Sequence, residues 1–333
     1  MKTQIETWSE SHVYRYEKPI EVANEQFKIF WAAEELGVKN DEDDLRTNLT
    51  PAERSAICYL QSILSRYEDH LGENVWGDII PKLFPRREIV RACSVISMVE
   101  THSHAPFYKI FNEVLNLATD DFYSQWRYDG HLYEHIKYVD KCTKSNDALT
   151  VAAATCGLEG LNLFAAFGFF KCFNTRGYNL ISHFVSGIDG SAKDENFHAM
   201  FSSWLFRQCL AERKQLGLDT DYIYDVAKNI ILKLVDHEMT IISHIWDFEK
   251  TTNTPIRVVK RSELEHFVRD RANMVASYLG LEPLFDGEQG EISGIFYLNV
   301  SSFKMSDFFS NTQLQYTRTW NESKLTFNNQ PQG

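Results

Sequence analysis

Asp194-Glu195-Asn196-Phe197-His198 is the stretch on which the reading of this chain turns. On a helix, Glu195 and His198 stand three residues apart on one face, with Cβ atoms about 5–6 Å apart. A carboxylate and an imidazole so placed are two ready ligands for one metal ion. A single pair of this kind occurs by chance on many helices. The rest of the chain therefore has to supply acids and histidines where a packed core should have none.

Three other helical segments do so. Glu159 lies in Gly157-Leu158-Glu159-Gly160-Leu161, inside the most apolar helix of the chain. A buried carboxylate costs several kcal/mol unless a cation or a protein cation answers it. A metal answers it, and so would an Arg or Lys from another helix. Met98-Val99-Glu100-Thr101-His102-Ser103-His104 offers Glu100 and His104 at i, i+4, again on one face, while His102 points elsewhere. Arg66-Tyr67-Glu68-Asp69-His70 ends a fourth helix and adds a carboxylate, either Glu68 or its neighbour Asp69, unless this is an ordinary solvated helix end. Together Glu68, Glu100, His104, Glu159, Glu195 and His198 give four carboxylates and two imidazoles from four helices, the composition of a two-metal bundle site. Two divalent ions neutralise four carboxylates. Oxygen and imidazole donors suit iron or manganese, whereas structural zinc prefers thiolates.

Composition narrows the classes further. The 333 residues carry a net charge of −12, with 44% hydrophobic and 14% aromatic residues, enough for a large core. Without a basic cluster, nucleic acid is not the expected partner, because phosphate contacts need Lys and Arg. The six cysteines form no C-x-x-C pair and sit mostly in apolar runs, as free thiols of a reducing compartment do. Met1 to Tyr16 is polar and charged, so no secretory signal is read there and a cytoplasmic protein is expected. Ala152 to Phe173 has the length and apolarity of a membrane span but includes Glu159 and Lys171, which points to a buried core helix and no membrane.

The pattern is helical almost throughout. Thr50-Pro51-Ala52-Glu53 is a helix start, with a Thr cap, Pro in the first turn and Glu closing a capping box. That helix should run to about His70 and stop at Gly72. Further helices are expected from Pro85 past Ile110, from Asn146 or Asp147 to Phe173, over Asn179–Val185, from Ala192 to Gln215, over Asp219–Lys250 and over Ser262–Gly280. After Pro283 the periodicity dissolves. The expected organisation is one all-α helical domain over 1–310 and a flexible tail over 311–333. No P-loop or Rossmann glycine fingerprint occurs.

These residues resemble the small, radical-generating subunit of class I ribonucleotide reductase, over about Phe27 to Tyr316. The family pattern has an acid on the first core helix, then E-x-x-H, a lone Glu in an apolar helix, and D-E-x-x-H. Asp194 to His198 matches the last element and Leu158-Glu159 the lone acid, while Gly72, four residues on, favours Glu68 as the first acid. The second element departs from the pattern, since Glu100 and His104 have one extra residue between them. A π-bulge would let both face the metals, with His102 the alternative imidazole.

The resemblance implies a ferritin-like bundle holding di-iron, di-manganese or Mn/Fe, and a radical on Tyr108, four residues beyond His104. It also implies a radical route through Trp31, in Phe30-Trp31-Ala32-Ala33-Glu34-Glu35, joined by Asp194 to a metal-bound histidine on the His198 side of the site. Ser306-Asp307-Phe308-Phe309 looks like the family's late D-F-F segment, and Tyr316 is the candidate tail tyrosine handing the radical to a separate large catalytic subunit. The final Asn329-Gln330-Pro331-Gln332-Gly333 is not the acidic-hydrophobic ending of the family. A homodimer is implied, and a flavoprotein activator is a further candidate partner. The rival reading is another ferritin-like dimetal oxidase, ligand-binding or desaturase-like.

Overall fold

The computed structural model describes residues 2–287 and 289–302. Among these no strand is present, and the buried apolar side chains form one core that runs from Ile5 to Phe296. The principal helices are α1 (Lys18–Lys28), α2 (Pro51–Asp69), α3 (Arg87–Val99), α4 (Ala105–Val114), α5 (Gly130–Thr143), α6 (Ala148–Gly160), α7 (Phe164–Lys171), α8 (Ser182–Gln215), α9 (Tyr222–Thr252), α10 (Arg261–Leu279) and α11 (Glu291–Ser302). At the centre α6 lies along α8, with α9 packed on both α2 and α6. The most apolar 18-residue window of Ala148–Asn174 is 94% buried inside the fold, so it is core.

Local chemistry sets the ends of the site-bearing helices. The Thr50 side chain accepts from the Glu53 amide at 3.2 Å, and Glu53 accepts from the Thr50 amide at 2.9 Å, closing the capping box. Glu53 also meets Arg257 at 2.7 Å, which ties the start of α2 to the chain leaving α9.

Gly72 does not stop the helix. The chain continues from α2 as a π-helix over His70–Ile79 and a short α-helix over Ile80–Leu83. Gly72 is needed for packing: a Cβ there would stand 2.7 Å from Glu100 Cβ. The helices expected over Asn179–Val185 and Ala192–Gln215 likewise are not separate: residues 179–181 are not helical, and α8 runs unbroken from Ser182 for 34 residues. Gly187, inside α8, lies against the Phe107 ring, which leaves no room for a Cβ. The opposite error concerns the third helix, which breaks at Leu161–Leu163 between α6 and α7, with Leu163 at φ 75°. A further helix, α11, follows Pro283 where no periodicity was read.

Between α3 and α4 a π-helix spans Glu100–His104, closed by the Ala105 amide on the Glu100 carbonyl. Pro106 follows at once, in the first turn of α4. Because proline donates no backbone hydrogen bond, a ladder interrupted just before it costs little. The wider turn puts Glu100 and His104 on one buried face despite their i, i+4 spacing, and leaves Thr101 half-buried and His102 exposed.

Candidate metal centre

α2, the π-turn after α3, α6 and α8 bring six fully or almost fully buried side chains to one point in the bundle. Glu68, Glu100, His104 and Glu195 each offer an atom within 4.8 Å of the others, and so do Glu100, Glu159, Glu195 and His198. The two sets share Glu100 and Glu195. His104 Nδ1 lies 3.2 Å from Glu68, 3.0 Å from Glu100 and 3.2 Å from Glu195. His198 Nδ1 lies 2.7 Å from Glu100 and 3.4 Å from Glu159.

His104 Nδ1 and Glu68 Oε2 are aligned as a hydrogen bond, but many of the cluster's other atoms are not. Glu68 Oε1, both Glu100 oxygens, Glu159 Oε2, Glu195 Oε1 and both His198 nitrogens are buried without a properly directed partner. Lone pairs that converge at these separations, several of them unpartnered, suit cations held at the convergence point. Each such atom left unanswered costs about 1–3 kcal/mol, which a bound proton or a metal ion offsets. Four carboxylates with one imidazole for each position fit two iron or manganese ions.

Proton affinities follow the same crowding. Burial, with Glu100 and Glu159 adding repulsion, holds the Glu195 carboxyl well above its usual range. Burial likewise pushes Glu68 up to about 8, although His104 opposes it. For Glu100 burial is overcome by His104 and His198, and its carboxyl stays well below the ordinary range. Burial lowers both imidazoles, yet the surrounding carboxylates together outweigh it: Glu100 and Glu159 raise His198 to about 10, and Glu100, Glu68 and Asp194 hold His104 well above its normal value. Protons thus balance the carboxylates until metal ions displace them.

Around this centre lie groups that orient it. His104 Nε2 faces Asp194 Oδ2 at 3.2 Å, the same oxygen accepts from Trp31 Nε1 at 2.9 Å, and the Trp31 and His104 rings stack at 5.6 Å. Asp194 therefore links Trp31 to the His104 side, not to the His198 side that the sequence suggested. The reason is tertiary: α1 and the segment after it lie against α3 and the π-turn, and Ser103 Oγ donates to the Trp31 carbonyl at 2.5 Å.

Two neighbours escaped the sequence. Gln26 Nε2 donates to Asp194 Oδ1 at 2.9 Å, and Trp76 Nε1 donates to Glu159 Oε1. Gln26 carried a weak signal, as a polar residue on the α1 face with Val22 and Ala23. Trp76 lay beyond the helix end that Gly72 was taken to mark.

Tyr108 is fully buried, its ring 4.8 Å from Phe107 and 6.3 Å from Phe184. Burial, reinforced by Glu68, raises its phenol well above the usual value. The Asp69 side chain lies outside the described side chains. Tyr316, the late D-F-F segment and the 311–333 tail lie outside the described residues.

Such a helical bundle, with carboxylates and histidines from four helices around one point, is a ferritin-like dimetal carboxylate architecture. The family model "Ribonucleotide reductase, small chain" matches residues 11–291. Over 314 residues the chain is 24% identical to ribonucleoside-diphosphate reductase subunit beta of Treponema pallidum (strain Nichols), covering 87% of this chain and 82% of that protein. Among solved structures, the dimanganese(II) NrdF of Streptococcus sanguinis superposes with a TM-score of 0.70 at 19% identity, covering 88% of this chain and 98% of that one. An R2-like ligand-binding oxidase with a reconstituted Mn/Fe cofactor gives 0.61 at 15% identity, covering 80% and 95%. The two superpositions show the fold. The family match over most of its length shows that this chain belongs to the ribonucleotide reductase small-chain family, an oxidoreductase family.

Proposed function

We propose that this chain is the radical-generating subunit of a two-subunit ribonucleoside-diphosphate reductase. In this reading Glu68, Glu100, His104, Glu159, Glu195 and His198 hold two metal ions, Fe or Mn, and Tyr108 stores the radical. The observation that carries it is the pair of overlapping four-ligand sets, buried and with several atoms lacking a hydrogen-bond partner, that share Glu100 and Glu195. When bound there, the metal pair supplies the oxidation of the tyrosine.

The chain's own residues do the rest. Phe107 and Phe184 pack against Tyr108 and keep water and reductants from its ring. Trp31 hands its radical outward, and as its indole is oxidised the N–H proton has Asp194 Oδ2 within 2.9 Å to receive it. Gln26 on the other Asp194 oxygen and His104 on the same one fix the carboxylate for that transfer. Tyr316 and the tail carry the radical to a large catalytic subunit, which reduces the nucleotide. The chain works in the cytoplasm as a homodimer, and a flavoprotein activator is a candidate source of the oxidant.

Likeness to the ligand-binding oxidase in fold keeps one rival in view. Oxidation of a small substrate by the isolated chain, with no partner required, would favour it. The direct test of the radical is electron paramagnetic resonance on chain reconstituted with iron or manganese and oxidant. A tyrosyl signal is expected in the wild type and its loss in Tyr108→Phe. An identical signal in the variant would place the radical elsewhere.

A further inference from the structure

Arg271, on α10, is a fully buried arginine that no part of the radical reading uses. Its Nε and Nη2 donate to the Gly160 carbonyl at 2.9 and 2.5 Å, and its Nη1 donates to Asn196 Oδ1 at 3.2 Å. Gly160 is the residue after Glu159, and Asn196 is the residue after Glu195. One guanidinium thus grips the backbone beside one candidate ligand and the side chain beside another. Tyr278 supports the second grip by donating to Asn196 Oδ1 at 3.1 Å, and the Phe164 ring lies 3.8 Å from the guanidinium carbon.

The place of this contact is informative. α6 ends at Gly160, and the chain turns through Leu161–Leu163 before α7 begins. The Leu161 and Asn162 amides both turn back to the Gly157 carbonyl, and the Phe164 amide goes to Leu161, so the Gly160 carbonyl is left outside the ladder. Arg271 supplies its donors. On the far side of the break the Leu163 and Ala165 amides donate to Glu238 at 3.0 and 2.7 Å. A cation at the carbonyl end and a carboxylate at the amide end match the partial charges of two helix termini. The break follows Glu159 by one residue.

We propose that Arg271 is a positioning residue that fixes Glu159 and Glu195 relative to each other and so sets the affinity of the His198-side metal position. Two of the four groups at that position, Glu159 and Glu195, are next to residues held by Arg271. At the His104-side position only Glu195 is. Glu68, Glu100 and His104 are placed by α2 and the π-turn, which Arg271 does not touch through any of these bonds.

The proposal rests on the dimetal reading, and one titration separates the two. Apo full-length chain is titrated with Mn(II), and unbound Mn(II) is followed by its electron paramagnetic resonance signal. Wild type should take up two ions per chain; failure to do so would strike the dimetal reading itself. In Arg271→Met one ion should bind as in the wild type and the other about 10–100-fold more weakly, the usual cost of losing an outer-shell partner. Arg271→Lys should also weaken that ion, because an ammonium cannot span both acceptors as the planar fork does. Two ions bound at wild-type affinity in both variants, or an equal loss of both ions from folded protein, overturns the assignment. If circular dichroism shows Arg271→Met unfolded, Arg271→Lys decides, since it keeps the charge and loses the planar fork. One weakened ion supports the positioning role, and an unchanged titration overturns it.

Discussion

Glu195, like Glu100, belongs to both candidate metal positions, and Glu68 belongs to one alone. Removing them should therefore have different consequences. Metal analysis after reconstitution should find about one ion per chain in Glu68→Ala, but neither ion firmly held in Glu195→Ala, because loss of a shared ligand opens both positions. Equal metal contents in the two variants would contradict the shared arrangement. At this scale the sequence revealed the residue types that a core should not contain. Glu159 stood out because nothing near it in the chain could answer its charge. Partners across the fold were not legible: Asp194 meets His104 and not His198, and Arg271 had no sequence neighbour to betray it. Which imidazole faces a carboxylate depends on how α1 lies on α3, and that is a property of packing.

For the helices, the informative features are two π segments that face each other, His70–Ile79 and Glu100–His104, with Gly72 of the first packed against Glu100 and Thr101 of the second. The extra residue between Glu100 and His104 was readable as an insertion, with Pro106 as a further local cue. Gly72 misled, because glycine at a helix end and glycine at a close helix crossing look alike in one dimension. Its packing role makes a clear prediction. Gly72→Ala should lower the stability of the apo chain by roughly 1–3 kcal/mol, the ordinary cost of forcing a methyl into a filled site. Gly130→Ala, where an added Cβ meets nothing within 4 Å, serves as the control. Thermal unfolding that fell equally in both, or in neither, would remove the packing explanation for Gly72.

Across the molecule, the fold contains a second buried polar seam, made largely of histidines. His135 and His237 stack at 3.4 Å, His131 Nε2 lies 2.9 Å from His237 Nδ1, and Tyr59 meets His244 at 2.9 Å. Tyr67 packs against the stack, and Asn162 accepts from His135. Burial holds His135 down to about 3 and, with His135 and His131 adding repulsion, keeps His237 well below its normal value. Both are neutral in the folded state and charge readily in the unfolded one. Their contribution is complete above the unfolded value near 6.5 and is lost as pH falls toward 3, at about 1.4 kcal/mol per pH unit for each proton taken up. Apo chain should lose stability over that window, and His135→Gln should show a shallower decline than the wild type in denaturant unfolding at stepped pH. Parallel curves would show that His135 stays charged or exposed.

The same scale holds the central claim, that one buried point in the bundle holds two metal ions between helices far apart in sequence. Anomalous X-ray diffraction from crystals of the manganese-loaded chain, collected at the manganese edge, tests it without relying on activity. Two peaks are expected, one beside Glu68 and His104 and the other beside Glu159 and His198, with Glu100 and Glu195 reaching both. A single peak, or peaks away from these six side chains, would contradict it.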